Sequence, residues 1–179
     1  MPRLFTGVEI PADIALMLEF MRGGIPGARW IDRESYHITL RFAGDIDEAQ
    51  ARELAGALDR VEAAPFTLQL KGVDVFGGNK PHSLHVTLAA SPELKRLQAA
   101  HERVCQLMGF EPEGRKFIPH VSLARLKDAP ALDLLGYLAA HNLYASRPFE
   151  VGRFALYSSR PSRGGGPYAI EEVYPLNAG

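Results

Sequence analysis

Two periodicities organise the hydrophobic and polar positions along the chain. Stretches in which apolar and polar residues alternate are typical of strands, and longer stretches with apolar residues every three or four positions are typical of amphipathic helices. Glycine and proline clusters separate them. The pattern predicts strands at 4–10, 36–42, 66–76, 83–90, 119–126, 149–158 and 168–176, and helices at 12–21, 45–61, 92–108 and 130–141. This mixture of strands and helices predicts an α+β fold.

One constant offset in residue number relates the first half of the chain to the second. Adding 83 to a position places one His-x-hydroxyl stretch on another, one acidic loop on another and one strand that begins with Pro-Phe on another. The three pairs are His37 and His120, Asp45 and Asp128, and the Pro-Phe steps at 65–66 and 148–149. We therefore expect residues 1–179 to form one domain of two pseudo-symmetric β-α-β-α-β halves related by a twofold axis.

The stretches His-Ile-Thr-Leu at 37–40 and His-Val-Ser-Leu at 120–123 follow one pattern. Successive side chains of a strand point to opposite faces, so each stretch has an apolar face and a face with one histidine and one hydroxyl. A twofold axis between the halves brings the two polar faces together across a cleft. The predicted site therefore combines His37, Thr39, His120 and Ser122.

Two imidazoles and two hydroxyls suit displacement at phosphorus. Histidine is a general base when neutral and a general acid when protonated, so two of them can deprotonate a nucleophile and protonate the leaving oxygen. The hydroxyls can bind non-bridging oxygens, whose charge grows in the transition state. The pattern predicts phosphodiester chemistry without a metal or cofactor, and its symmetry favours neither histidine as the acid.

Composition limits how this chemistry can bind a nucleic acid and in which compartment it can take place. The 179 residues carry 20 Lys and Arg against 21 Asp and Glu, so a nucleic acid has to be bound by a local cluster rather than by net charge. The single cysteine, Cys105, excludes an intramolecular disulfide and a cysteine-based zinc site. Neither a signal-peptide pattern nor an apolar run of membrane-spanning length is present, so we expect a soluble, cytoplasmic protein, with a monomer as the default.

The two motifs resemble those of the 2H phosphoesterase superfamily, and specifically of the RNA 2′,3′-cyclic phosphodiesterases, also called 2′-5′ RNA ligases. The resemblance covers nearly the whole chain. It rests on Arg-Leu-Phe at 3–5, His-Ile-Thr-Leu-Arg-Phe at 37–42, Phe-Ile-Pro-His-Val-Ser-Leu-Ala-Arg at 117–125 and Leu-Tyr-Ser-Ser at 156–159. Ser122 stands where the family usually has threonine, which keeps the hydroxyl but loses the β-branch.

This resemblance implies a bilobal fold of two mainly antiparallel sheets flanked by helices, with both motifs facing a central cleft. It implies hydrolysis of RNA 2′,3′-cyclic phosphate ends, or of small cyclic nucleotides, to 2′-phosphomonoesters without a metal. His37 would be the proton donor and His120 the proton acceptor, and Thr39 and Ser122 would bind the substrate. The reverse reaction would join RNA ends through a 2′-5′ linkage.

Two arginines are further candidates for binding phosphate. Arg41 lies four residues after His37 and shares its face if the strand is regular. Arg125 belongs to the motif that the resemblance covers. Alternation places it opposite His120, so it reaches the cleft only if its strand twists or bulges.

Aromatic and basic side chains elsewhere are candidates for contacts with RNA. Phe42 and Tyr157 could stack on a terminal base. The segment 160–167, which contains Arg160 and Arg163, is a candidate basic loop.

Three other histidines and two other functions complete the expectations. A third motif match, His-Val-Thr-Leu at 85–88, does not fit the constant offset, so we expect His85 to be a structural histidine on a sheet face. His101 and His141 fall on predicted helices and are expected at the surface. The alternatives are a non-catalytic RNA- or nucleotide-binding module and a metal hydrolase that uses His37, His85 and His120.

Overall fold

The computed structural model describes residues 3–159 and 168–177, and within them the chain forms ten strands, four α-helices and one 3₁₀ helix. The strands are β1 (Arg3–Glu9), β2 (Arg29–Trp30), β3 (His37–Asp45), β4 (Phe66–Leu68), β5 (Leu70–Phe76), β6 (Ser83–Leu88), β7 (His120–Arg125), β8 (Phe149–Val151), β9 (Arg153–Ser159) and β10 (Tyr168–Pro175). The helices are α1 (Ala12–Glu19), α2 (Glu48–Leu58), α3 (Pro92–Leu107) and α4 (Ala131–His141), and the 3₁₀ helix is Arg33–Ser35.

Antiparallel pairing joins these strands into two sheets of unequal size. The larger sheet has the order β10-β9-β1-β3-β7-β6-β5, with β2 paired to β7, and the smaller sheet consists of β4 and β8. The α+β class with antiparallel sheets is therefore confirmed. Both sheets combine strands from the two halves of the chain, so the halves are joined by backbone hydrogen bonds as well as by side chains.

The constant offset reappears in the bounds of the elements. Adding 83 to the ends of α2, 48 and 58, gives the ends of α4, 131 and 141. The same offset places β4 on β8 and β5 on β9 without any change in length. Each half of the chain interrupts its predicted long strand at one residue, Gln69 or Gly152, where the chain passes from the smaller sheet to the larger.

Two pairs of opposing residues locate a local twofold axis. The contact between β3 and β7 pairs Ile38 with Val121, and the centre of the smaller sheet pairs Thr67 with Glu150. In both pairs the constant offset relates one member to the other. In an antiparallel pair, a residue faces its own equivalent only where a twofold axis passes between the strands. We propose on this basis that residues 1–179 form one domain of two pseudo-symmetric halves.

The main core lies beneath the centre of the larger sheet. Val8, Ile38, Val121 and Val86 follow one another across four adjacent strands, and each is at most 2% exposed. Leu54 of α2 and Leu94 of α3 are buried in the same cluster, so helices cover this face. Because strand side chains alternate, the neighbours of this apolar row point to the other face of the sheet.

Local capping places the start of α2 later than the hydrophobic pattern predicts. Asp45 is the last residue of β3 and pairs with Arg3 of β1. The Asp47 side chain accepts a hydrogen bond from the Gln50 N–H, and the Gln50 side chain accepts one from the Asp47 N–H. This reciprocal pair satisfies two backbone donors at the helix start. Ser91, the N-cap of α3, likewise accepts from the Leu94 N–H.

Candidate active site

The polar side chains of both motifs lie on one face of the two central strands. Ile38 and Val121 oppose each other and point into the core. Their neighbours in sequence therefore point away from the core, and all four are partly exposed. These neighbours are His37, Thr39, His120 and Ser122. The structure thus brings together the four residues that the sequence pattern combines.

Backbone carbonyls orient both imidazoles in the same way. The Nδ1 atom of His37 lies 2.8 Å from the Ser35 carbonyl oxygen, and that of His120 lies 2.7 Å from the Ile118 carbonyl oxygen. A carbonyl oxygen only accepts, so each Nδ1 carries the proton and each Nε2 is the atom left for chemistry. In His37, Nε2 lies 2.8 Å from the Thr39 hydroxyl. The Nδ1 contact is made two residues before the histidine in both halves.

The surroundings of both histidines favour the neutral imidazole. Burial lowers the pKa of His37 to about 4, with the Ser35 hydrogen bond opposing and the nearby His120 reinforcing this shift. Burial also lowers the pKa of His120, and the Ile118 hydrogen bond opposes it. An anionic phosphodiester between the two rings raises both pKa values, because it favours the charged imidazolium.

An aromatic cluster surrounds His37. Its ring centroid lies 4.9 Å from that of Phe5, 5.0 Å from Tyr168 and 5.5 Å from Tyr157. Phe5 and Tyr157 are themselves stacked, with centroids 5.0 Å apart. Sequence reasoning missed Phe5 and Tyr168. Phe5 comes from β1, which pairs with β3, and Tyr168 comes from the edge strand β10, so both are distant from His37 in sequence. Gly7 belongs to the same surroundings, since a Cβ there would lie 2.7 Å from the Ile38 oxygen.

The structure separates the two candidates for base stacking. Tyr157 is 6% exposed and Phe5 stacks on one face of its ring, while the residue also lines a groove of about 980 Å³ beside His37. Stacking of a base on Tyr157 stays a prediction. Phe42 is 47% exposed and stays a candidate.

The ring of His120 packs against Phe76 and His85. The centroid of His85 lies 5.0 Å from that of His120 and 4.0 Å from that of Phe76. Pairing of β6 with β7 places His85 opposite Ser122, which explains the contact. His85 is 1% exposed, and its Nδ1 has no hydrogen-bond partner among the described residues. His85 is thus a buried sheet-face residue as predicted, but it lies directly against the site.

A β-bulge directs Arg125 into the cleft. Leu84 pairs with Ala124 and His85 pairs with Ser122, so Leu123 is an extra residue on β7. The bulge reverses the alternation beyond it. Arg125 therefore lines a cavity of about 230 Å³ together with His37, Thr39, Ser122 and Tyr168, among other residues. Sequence reasoning required such a bulge for Arg125, and the structure contains it.

The equivalent bulge on β3 removes Arg41 from the cleft. Thr6 pairs with Arg41 and Gly7 pairs with Thr39, so Leu40 is the extra residue. Arg41 points to the helix side of the sheet, where it is 8% exposed and bonded to Glu102. The expectation that Arg41 shares a face with His37 and binds substrate is wrong, because it assumed unbroken alternation.

Two further expectations change or fall outside the described residues. His101 is fully buried on α3 rather than at the surface, with its Nδ1 2.7 Å from the Thr6 hydroxyl, and burial lowers its pKa to about 3. The candidate basic loop with Arg160 and Arg163 lies outside the part of the chain that the structure describes.

Two kinds of feature are absent from the described part of the chain. Within residues 3–159 and 168–177, no group of three or more His, Cys, Asp or Glu side chains is arranged to hold a metal ion. In the same ranges, no helix is long and apolar enough to cross a membrane.

Sequence comparison places this arrangement among known proteins. A family model described as the 2′-5′ RNA ligase superfamily matches residues 19–163. The chain is 32% identical over 165 residues to the RNA 2′,3′-cyclic phosphodiesterase of Bacillus subtilis, a match that covers 89% of this chain and 85% of that protein. It is 31% identical over 153 residues to a protein of the same name from Aquifex aeolicus, covering 83% and 81%.

Solved structures share the fold at lower identity. Escherichia coli LigT complexed with 3′-AMP is similar with a TM-score of 0.79 and 22% identity, over 99% of this chain and 100% of that one. The protein TT0787 of Thermus thermophilus is similar with a TM-score of 0.79 and 23% identity, over 97% of both chains. At these identities the likeness establishes the fold alone.

Proposed function

The chain belongs to the 2′-5′ RNA ligase superfamily, and we propose that it hydrolyses RNA 2′,3′-cyclic phosphate ends to 2′-phosphomonoesters by acid–base catalysis from two histidines. The observation that carries this proposal is the pairing of Ile38 with Val121. It brings two His-and-hydroxyl pairs to one cleft face, and in both pairs a carbonyl binds Nδ1, so that proton transfer falls to Nε2. The named relatives support the choice of substrate.

In this mechanism His120 is the proton acceptor and His37 the proton donor. Nε2 of His120 takes a proton from water as the water oxygen attacks phosphorus, and the bond from phosphorus to the 3′ oxygen breaks. Nε2 of protonated His37 gives its proton to that departing oxygen. The product carries phosphate on the 2′ oxygen, and exchange with solvent returns both imidazoles to their starting states.

The surroundings of the histidines fit these roles. Among the described residues, His120 makes a hydrogen bond through Nδ1 only, so its Nε2 lone pair is free to accept. His37 has to be protonated when substrate is bound. The substrate anion favours that state, because its negative charge opposes the effect of burial on the pKa of His37.

Phosphate binding is assigned to Thr39, Ser122 and Arg125. The two hydroxyls flank the cleft, and the guanidinium of Arg125 lies at its rim, where it donates to the non-bridging oxygens. A groove of about 980 Å³ continues from His37 along β1 and the 3₁₀ helix, and offers room for the terminal nucleoside. Because the site grips one terminal phosphate, a chain with a net charge of −1 can act on RNA or on a small cyclic nucleotide.

We extend this proposal to RNA ligation and to the cellular setting. When the 5′-hydroxyl of a second RNA takes the place of water, His120 removes its proton, its oxygen attacks phosphorus to form a 2′-5′ linkage, and His37 protonates the departing 3′ oxygen. We propose a monomer as the acting species. The free, buried Cys105 fits a reducing cytoplasm.

Turnover of a 2′,3′-cyclic nucleotide in excess EDTA tests the proposal. We expect hydrolysis under these conditions, and ³¹P NMR of the product to show phosphate on the 2′ oxygen. A protein that binds the nucleotide without turning it over would be a binding module. Activity that EDTA abolishes and Zn²⁺ or Mn²⁺ restores would indicate the metal hydrolase, and a 3′-phosphate product would contradict the assigned leaving group.

A further inference from the structure

Arg41 connects the first catalytic strand to the segment that precedes the second. Its Nε donates to the Glu102 carboxylate at 2.5 Å, its Nη2 to the Glu111 carbonyl at 2.5 Å and its Nη1 to the Phe42 carbonyl at 2.7 Å. The guanidinium group thus donates hydrogen bonds to three separate parts of the chain. The side chain is 8% exposed, so these bonds are shielded from solvent.

Glu102 of α3 binds the same segment through its second oxygen. Its Oε1 accepts the Glu113 N–H at 2.6 Å, while Oε2 faces Arg41. Burial alone would raise the pKa of Glu102, but the Glu113 N–H and the Arg41 guanidinium hold it below its ordinary value. The carboxylate is therefore ionised at neutral pH and forms a charge-assisted bridge.

The segment held in this way ends at the active site. Residues 109–119 run from the end of α3 to β7 without a helix or strand. Their last part supplies the Ile118 carbonyl that accepts the Nδ1–H of His120. Arg41 and Glu102 fix the first part of the segment, at Glu111 and Glu113.

In the first half of the chain, a local turn fixes the equivalent carbonyl, that of Ser35. Ser35, which orients His37, ends the 3₁₀ helix Arg33–Ser35 and is buried, and its own N–H donates to the Asp32 carbonyl. This local turn needs no distant support. In the second half, Ala124 stands at the position equivalent to Arg41. The arginine therefore supports only the carbonyl of Ile118, which is not preceded by a local turn.

We propose that Arg41 is a positioning residue that, through Glu102 and the segment 109–119, holds the Ile118 carbonyl against Nδ1 of His120. The inference rests on the proposed role of His120 as proton acceptor. It predicts that loss of Arg41 releases one imidazole, that of His120, from its fixed tautomer and ring orientation. The orientation of His37 is left unchanged.

Substitution Arg41→Met tests this, with Arg147→Met as the matched control. Arg147 also makes an ion pair, with Asp13, but an exposed one. For R41M we expect kcat to fall by about 10- to 100-fold, as for small misplacements of a catalytic group, with KM changed less than about threefold. In imidazole ¹⁵N–¹H NMR of the ligand-free protein at pH 7, the Nδ1–H signal of His120 should weaken while that of His37 persists. R147M should match the wild type in all readouts.

Each outcome decides for or against the inference. A rise in KM at constant kcat would make Arg41 a phosphate-binding group and overturn it, and so would unchanged His120 signals. If R41M does not fold, Glu102→Gln serves instead, because its amide oxygen still accepts the Glu113 N–H while the ion pair is lost. The NMR signals can be measured without turnover. If the wild type shows no activity and its His120 signal still depends on Arg41, the proposed function is contradicted and this inference is not.

Discussion

The two halves of the cleft share a backbone device and differ in what surrounds it. Both hold a histidine by a carbonyl two residues earlier, and both have a bulge three residues after that histidine. Around His37 the neighbours are phenylalanine and tyrosine rings, whereas around His120 they include a second imidazole. The two halves thus place equivalent histidines in different surroundings.

Equivalent positions show this difference most clearly. Phe42 and Arg125 are related by the constant offset and both follow the bulge, yet one is aromatic and the other is cationic. Gly7 and His85 occupy matching places beside Thr39 and Ser122. Such pairs allow the halves to be compared by single substitutions.

The largest effect is expected when either histidine is removed. His37→Ala and His120→Ala should each lower kcat/KM by about 10³-fold, because each proton transfer loses its catalyst. His120 has to be neutral and His37 protonated, so H120A should abolish the fall in rate at low pH and H37A the fall at high pH. Steady-state pH profiles measure this, with His141→Ala on α4 as a neutral control. If H120A instead lost the fall in rate at high pH and H37A the fall at low pH, His37 would be the proton acceptor and His120 the proton donor.

A smaller effect is expected at the position after the bulge. Arg125→Met should lower kcat/KM by about 10- to 100-fold, since charge-assisted hydrogen bonds contribute about 1.5–3 kcal/mol. Phe42→Leu at the equivalent position should cost less than about tenfold, because its ring carries no charge. Steady-state kinetics with one cyclic mononucleotide compare kcat/KM of the two variants. Equal losses at the two positions would contradict the assignment of phosphate binding to one half.

Gly7→Ala should reduce stability rather than remove a catalytic group. The added methyl would lie 2.7 Å from the Ile38 oxygen and 3.2 Å from the Tyr157 ring, so β1 or β3 has to shift. We expect the free energy of unfolding to fall by about 1–3 kcal/mol, the usual cost of overpacking. Gly56→Ala in α2, where a methyl meets no atom within 4 Å, should instead stabilise by up to about 1 kcal/mol. Urea denaturation distinguishes the two.

The smallest effect at neutral pH is expected at His85. His85→Phe keeps a ring against Phe76 and His120 and removes the unpartnered Nδ1, so stability at pH 7 should rise by about 1 kcal/mol. Catalysis should change less than about tenfold. Burial, and secondly His120, lower the pKa of His85 to about 4, below the 6.5 of the unfolded chain.

That shift sets the pH dependence of the His85→Phe comparison. Between pH 6.5 and 4 the unfolded wild type binds a proton that the folded protein does not, so the wild type loses stability as pH falls. The advantage of the variant should therefore grow by on the order of 2–3 kcal/mol over this range. Thermal unfolding at several pH values measures it, and a constant advantage would show that His85 binds its proton over the same pH range in the folded and the unfolded chain.

The elements and the repeat were predictable because they depend on local patterns. Alternation and helical spacing located the four described α-helices and the longer strands, and the constant offset between the halves related His37 to His120 on strands that lie side by side. The short strand Arg29–Trp30 and the 3₁₀ helix Arg33–Ser35 were missed, since neither is long enough to show a period. The start of α2 was misplaced because capping by Asp47, rather than hydrophobicity, determines it.

The sequence by itself determined the α+β class, the constant offset between the halves and the four residues at the centre of the cleft. Their geometry follows from strand alternation and one symmetry operation. Only the tertiary structure decided the destinations of Arg41 and Arg125, because a bulge depends on how the neighbouring strand pairs. It also decided the burial of His85 and His101, since burial is produced by side chains that are distant in sequence.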